Sequence, residues 1–278
     1  MEKIIRTWSL MKMSWRILIR DKRILIFPFM SGLSCLAIAA TFFVPLVVTG
    51  HWQPPVSGAP PMQVFAYYAN MFLFYYCNYF VIVFFNSALV TFAMMRMNGG
   101  EPTLGEGLRG AFQRWPLIAG WAFIAATVGF VLKIIEDRSD KIGQIVAGLL
   151  GGAWALVTFL VVPILVVERK NPFNALKEST MLLKRTWGEN IMMRVSFSTI
   201  SFLLAIPAFG LIALGALAHN PIVLAACIAA AVLYFILLAL VQSALEAIFQ
   251  TAIYFFACSR RVPAGFELNV LESAITAR

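Results

Sequence analysis

The sequence predicts an all-α, polytopic membrane helical bundle: six transmembrane helices arranged as three hairpins, each preceded by a cytoplasmic interfacial amphipathic helix. Three observations carry that expectation. First, of 278 residues 61% are hydrophobic and only 13% charged, about half the charged share of a globular domain, and the mean hydropathy is +0.83. Second, the apolar residues gather in six runs, 24–48, 64–95, 117–135, 142–167, 191–218 and 222–258, each near or above the ~20 residues that carry a helix through a ~30 Å hydrocarbon layer. The runs are continuously apolar and do not alternate, which favours helices over barrel strands. This composition excludes a disordered chain, a secreted disulfide scaffold and a cytosolic enzyme, and makes 1–278 a single transmembrane domain.

The third observation is where the cations fall. Nineteen of the 22 Lys and Arg residues lie on one side of the runs: before the first, in the second and fourth connections, and in the tail. The other side holds only Lys133, Arg138 and Lys141, beside Glu136, Asp137 and Asp140. The positive-inside rule therefore puts both termini in the cytoplasm, in a multi-pass protein of the bacterial inner membrane. The net charge of +9 then points to anionic lipid of the cytoplasmic leaflet, not to nucleic acid. No cleavable signal is expected, because the first run is a full span after a 23-residue basic segment.

Taken in order, segment 5–22 spaces Trp8, Met11, Trp15 and Leu18 along one helical face, with Lys12, Arg16 and Arg20 on another. The second span carries Asn70, Asn78 and Asn86 among several tyrosines, expected to bond between helices toward a polar interior. Segment 103–115 opens with Thr103 and, three residues on, Glu106, a capping box. Leu104, Leu108, Ala111 and Trp115 then form a stripe away from Arg109, with Arg114 adjoining.

In the fourth span, Ala147 with Gly151 and Gly148 with Gly152 are small-xxx-small pairs that let another helix approach closely. Pro163 there, and Pro207 with Gly210 in the fifth span, predict kinks. Segment 172–187 has Asn171 as cap and Pro172 at the first helical position. Phe173, Leu176, Thr180, Leu183 and Trp187 share a face, while Lys177, Lys184 and Arg185 lie away from it. Segments with Trp, Phe and Leu on one face and cations on the other are expected in the headgroup plane, with those cations on anionic lipid.

The sixth span is too long for the bilayer without tilt, kink or protrusion, and places Gln242, Glu246 and Gln250 on one face. Glu246 is its carboxylate within an apolar run, and an intramembrane carboxylate marks a functional or paired position. Arg194 and Arg96 are the available cations. Cys35, Cys77, Cys227 and Cys258 form no CxxC pair and read as small core residues. His51 and His219 both fall on the outer side, and no HExxH, GxxxxGK or GxSxG occurs, so no enzyme, cofactor or metal is expected.

The stretches DKRILIFPFMSG at 21–32, FNSALVTFAMMRMNGGEPTLGEGLRGAFQR at 85–114, GWAFIAATVG at 120–129 and NALKESTMLLKRTWGEN at 174–190 resemble an uncharacterised family of prokaryotic six-span membrane proteins, a domain of unknown function. More distantly, Ala-Leu-Lys-Glu-Ser at 175–179 is similar to the membrane domain of bacterial glycerophosphodiester phosphodiesterases, whose catalytic barrel is absent here. The resemblance implies a family, six spans and an inner membrane, and no activity. Two readings stay open. One is a non-enzymatic scaffold or accessory protein whose basic cytoplasmic collar engages lipid or a partner. The other is a channel or transporter for a small solute, ion or lipid built around Glu246. Homo-oligomer and membrane-protein partner are both left open by the small-residue faces.

Overall fold

A computed structural model describes residue 12 and residues 14–49, 58–138, 140–185, 187–218 and 220–259, with side chains described except at 49, 138, 184–201 and 256–259. Among the described residues there is no strand. Residues 14–20 are helical, and a single 3-10 turn, Lys22–Leu25, capped by Asp21, leads into the bundle. The helices are α1 Ile26–Thr49, α2 Pro61–Met97, α3 Leu104–Phe112, α4 Trp115–Arg138, α5 Lys141–Val157, α6 Val161–Glu168, α7 Pro172–Arg185, α8 Trp187–Leu217 and α9 Pro221–Ser259.

Among the described residues, five stretches are long and apolar enough to cross a membrane: Lys22–Val48, Pro61–Met97, Trp115–Asp137, Lys141–Glu168 and Pro221–Phe255. In α8 the described apolar part is Phe202–Leu217. Neighbours in sequence pack together, α1 on α2, α4 on α5 and α8 on α9, while α2 also meets α3, α4, α6 and α9 and is the central helix. Pairing rests on aromatic and small residues. Phe72 meets Phe123 and Phe130 at 5.6 and 5.8 Å between ring centres. An ideal Cβ on Gly215 would come within 2.7 Å of Cys227 Cβ, so α8 and α9 touch closely beside their turn. Helix α8 runs unbroken through Pro207.

In the fourth apolar run the kink expected of Pro163 is a full break into two helices, α5 and α6, separated at 158–160. Pro163 is the cause: it has no N–H to donate to Phe159 O, and its ring crowds that carbonyl, so α5 cannot continue through it. The break is sealed from another element. The Ser179 hydroxyl in α7 donates to Val157 O at 2.6 Å and accepts from Leu160 N–H at 3.2 Å. Non-helical backbone at this depth is tolerable only where protein satisfies its polar groups.

Expectation and structure also differ on the small-residue pairs of α5. Nothing lies within 4 Å of a Cβ built on Gly148 or Gly152, and Gly151 meets only Leu132 at 3.9 Å. Spacing records that a close approach is sterically open; among the described residues no helix takes it at Gly148 and Gly152, while Ala147 is buried and Gly151 faces α4 at ordinary distance.

The core is concentrated at the basic end of the bundle. Buried positions fall in the second half of α2, from Val83 to Met97, and in α6, the last third of α9, and the inner faces of α3 and α7. Helices α2 and α9, with 37 and 39 residues, are ~55 Å and ~58 Å long at 1.5 Å per residue. Their excess over a ~30 Å hydrocarbon layer forms this packed layer. Helix α3 docks there through Gly107 and Gly110, whose ideal Cβ atoms would lie 2.8 Å from Phe27 Cζ and 2.5 Å from Thr91 Cγ2. The capping box is present, with Thr103 N–H donating to Glu106 Oε2 at 2.7 Å and Glu106 N–H donating to Thr103 Oγ1 at 3.3 Å.

Candidate functional site

Three helices bring polar side chains to one cavity of about 230 Å³, lined by Pro28 and Ser31 of α1, Ile82, Phe85, Asn86 and Leu89 of α2, and Ser243, Glu246, Ala247 and Gln250 of α9. The i, i+4 spacing of Glu246 and Gln250 puts them on one face, where Gln250 Nε2 makes a long 3.5 Å contact to Glu246 Oε1. Gln250 is buried and Asn86 and Glu246 half-buried. One carboxylate, two carboxamides and two hydroxyls give the cavity both donors and acceptors.

Other predicted members are elsewhere. Gln242 does not line the cavity, and Asn78 donates to Phe74 O of its own helix at 2.9 Å. Arg96 Nη1 donates to Gly100 O at 3.0 Å in the turn that follows α2 and stands 3.9 Å from Glu101. The side chain of Arg194 lies outside the described residues. Ser31 and Ser243 belong to the cavity but carry little sequence signal, since serine in a span is common packing chemistry.

Depth follows from helix arithmetic. Asn86 and Glu246 each stand 25 residues from the outer ends of their helices, Pro61 and Pro221, or ~38 Å along the axis. That places the cavity toward the packed end of the bundle, where Leu89, Ala247 and Gln250 of its lining are buried.

The basic residues ring this same end. Lys12, Arg16, Arg20, Arg109 and Lys177 are exposed; Lys184 and Arg185 have side chains outside the described residues, as do Trp8 and Met11. Arg114 is half-buried, with Nη1 donating to Gly110 O at 2.7 Å, and its pKa is lowered by desolvation and by Arg169. The apolar faces of α3 and α7 are turned mainly to protein: Ala111, Ala175 and Leu183 are buried, and Leu104, Leu108 and Leu176 pack on the core. Large aromatics remain outside, with Trp15 44%, Phe112 62%, Trp115 57% and Phe173 73% exposed.

A second polar cluster was not legible from spacing. Lys170 Nζ bridges Glu168 and Glu178, and Tyr254 of α9 donates to Glu168 Oε1 at 2.6 Å. Hydrogen bonds to both carboxylates raise the Lys170 pKa. The cluster ties the end of α6, the middle of α7 and the end of α9 together. His51 and His219 are outside the described residues.

No curated protein matches the chain, which leaves the phosphodiesterase likeness without support. The family comparison matches residues 65–265, from α2 through α9, including the α2 and α9 walls of the cavity but not Pro28 and Ser31 of α1. The chain belongs to the family of unknown function DUF6159.

Proposed function

We propose that this protein is a six-span, non-enzymatic accessory or scaffold protein of the bacterial inner membrane, with both termini cytoplasmic, that engages anionic lipid through its basic collar. The observation that supports it is the pairing, at one end of the bundle, of exposed Trp15, Phe112, Trp115 and Phe173 with exposed Lys12, Arg16, Arg20, Arg109 and Lys177. Aromatic rings favour the headgroup interface and each nearby cation adds about 1 kcal/mol on an anionic surface.

The test is lipid retention by the purified full chain in neutral detergent. Phosphatidylglycerol should be held in preference to phosphatidylcholine, and a variant with the five cations changed to Gln should lose the preference. Equal retention of both lipids by the unaltered protein refutes the reading.

A second reading, a channel or transporter for a small solute, ion or lipid, is favoured by the cavity of about 230 Å³ lined by Ser31, Asn86, Glu246 and Gln250. It expects Glu246→Gln to abolish a flux measured in liposomes; an unchanged flux removes it.

A further inference from the structure

Gln250 is buried, with 8% of its surface exposed, yet its amide is held loosely. The nitrogen reaches Glu246 Oε1 at 3.5 Å, beyond the roughly 2.7–3.2 Å of an ordinary N–H to O bond. A buried carboxamide costs free energy unless its donors and acceptors are filled, and this one lines the cavity shared by Ser31, Asn86, Ser243 and Glu246.

The cavity has a closed end and an open one. It extends along α2 from Leu89 to Ile82 and along α9 from Gln250 to Ser243, about 10 Å in each helix. Leu89, Ala247 and Gln250 are buried at one end, while Ile82 and Ser243 are exposed at the other. Beyond that rim the walls stay uncovered: no residue of α1 is buried from Gly32 to Val48, and from Pro221 to Ser243 of α9 only Ala231 is. The large side chains exposed there are apolar, Leu33 and Leu36 on α1 and Ile236 and Leu237 on α9. A polar pocket that opens between apolar helices suits an amphiphile, its head inside and its chain outside.

The lining selects the head. The carboxamides of Asn86 and Gln250 and the hydroxyls of Ser31 and Ser243 both donate and accept, and Glu246 accepts. No Lys or Arg is among the described lining residues, so a phosphate would meet the carboxylate with no cation beside it. An ammonium only donates, and would leave the amide N–H groups unmatched. Hydroxyl groups do both. The volume of about 230 Å³ is roughly eight times the ~30 Å³ share of a water molecule in the liquid, room for a three-carbon polyol but not for an acyl chain as well.

We propose that this cavity binds the glycerol head of an acylglycerol, an uncharged lipid, with the acyl chain leaving past Ile82 and Ser243. The proposal rests on the cavity of the second reading and requires no flux through it.

A monoacylglycerol with a photoreactive acyl chain, photolysed with the purified full chain in neutral detergent, tests this. Label should fall on α1 and on α9 before Ser243, and unlabelled monoacylglycerol should suppress it. The amine and the phosphate bearing the same chain should compete at least about tenfold more weakly, the scale of a mismatched polar group. Gln250→Leu and Asn86→Leu should each raise the half-labelling concentration about fivefold or more, the scale of one lost hydrogen bond. Asn78→Leu, whose amide returns to Phe74 O of its own helix, should change it by less than about twofold. Ser243→Trp keeps the test decisive even where the two leucine variants unfold: at the exposed rim it should melt with wild type and lose the label.

Wild-type labelling in Gln250→Leu, Asn86→Leu and Ser243→Trp would overturn the proposal. Equal or stronger competition by the amine overturns it in favour of an organic cation, and by the phosphate in favour of an anionic head. Displacement by free glycerol overturns it by assigning the cavity to a soluble polyol. If Glu246→Gln abolishes a solute flux while no acylglycerol labels the cavity, the transport reading stands and this one falls. Labelling at the cavity with no measurable flux supports this site and removes transport.

Discussion

Replacing Gly110 with alanine adds one methyl group where helix α3 lies on α2. The new Cβ would sit 2.5 Å from Thr91 Cγ2, 2.8 Å from Thr91 Oγ1 and 3.1 Å from Thr91 Cβ, against the 3.5–4.0 Å at which carbon atoms pack. Thr91 has little room to give, because it is buried and its hydroxyl donates to Ser87 O at 2.8 Å. Overpacking of this kind costs about 1–3 kcal/mol, set against a helix-propensity gain of about 1 kcal/mol for replacing glycine. Gly105→Ala in the same helix is the control, since its Cβ would meet only Thr103 Oγ1 at 4.0 Å. The propensity gain largely cancels between the two variants, so Gly110→Ala should be less stable than Gly105→Ala by about 1–3 kcal/mol. Equilibrium unfolding in mixed micelles, followed by tryptophan fluorescence, reads the difference. Thr91→Ala combined with Gly110→Ala should recover part of the loss, as expected of residues in contact. Equal stability of the two glycine variants would refute the docking of α3 described above.

Ser179→Ala should cost about 2–6 kcal/mol in the same assay, because it orphans Leu160 N–H and Val157 O at about 1–3 kcal/mol per buried group. Thr180→Ala, whose hydroxyl returns to Leu176 O of its own helix, should cost less than about 1 kcal/mol, and equal losses would contradict the sealing role. The Glu106 pKa is lowered by the Thr103 backbone N–H and hydroxyl. Its stabilisation is therefore complete above the ordinary glutamate value of about 4.3 and is lost as pH falls through the lower folded value; Thr103→Ala should flatten that acid limb in a melting series. The raised Lys170 behaves in the opposite sense. Its contribution is intact below the ordinary lysine value of about 10.4 and lost as pH rises through the folded value, so neither group should alter the melting temperature between pH 6 and 9.

Local signals were legible where local physics decides. The Thr103 and Glu106 box is there, and Asn171 Oδ1 accepts from Asn174 N–H at 2.9 Å, because both depend on three adjacent residues and a helix start. Glu246 and Gln250 share a face for the same reason, and Asn86 joins them as a polar residue in an apolar run. The rest needs tertiary facts. Pro163 announces a lost hydrogen bond but not that Ser179 will repair the gap. Amphipathic spacing in α3 and α7 shows an apolar face without saying whether lipid or protein covers it. Tyr254 and Glu168 stand 86 residues apart, and no periodicity links them. Arg96 seemed available to Glu246 by position, yet a carbonyl four residues away at Gly100 demands far less chain ordering than a meeting across the bundle.

The hydroxyl of Ser179 belongs at once to α7 and to the gap between α5 and α6. Helix α7 therefore cannot lift away as a separate flap without exposing two backbone groups inside the bundle. Detachment at the surface and loosening within the fourth run become one cooperative event, so the Leu160 amide should exchange its proton with the same opening free energy as the amides of α7. A lipid or protein that holds α7 down would slow exchange at Leu160 without touching it, and that buried amide becomes an internal gauge of what happens at the surface.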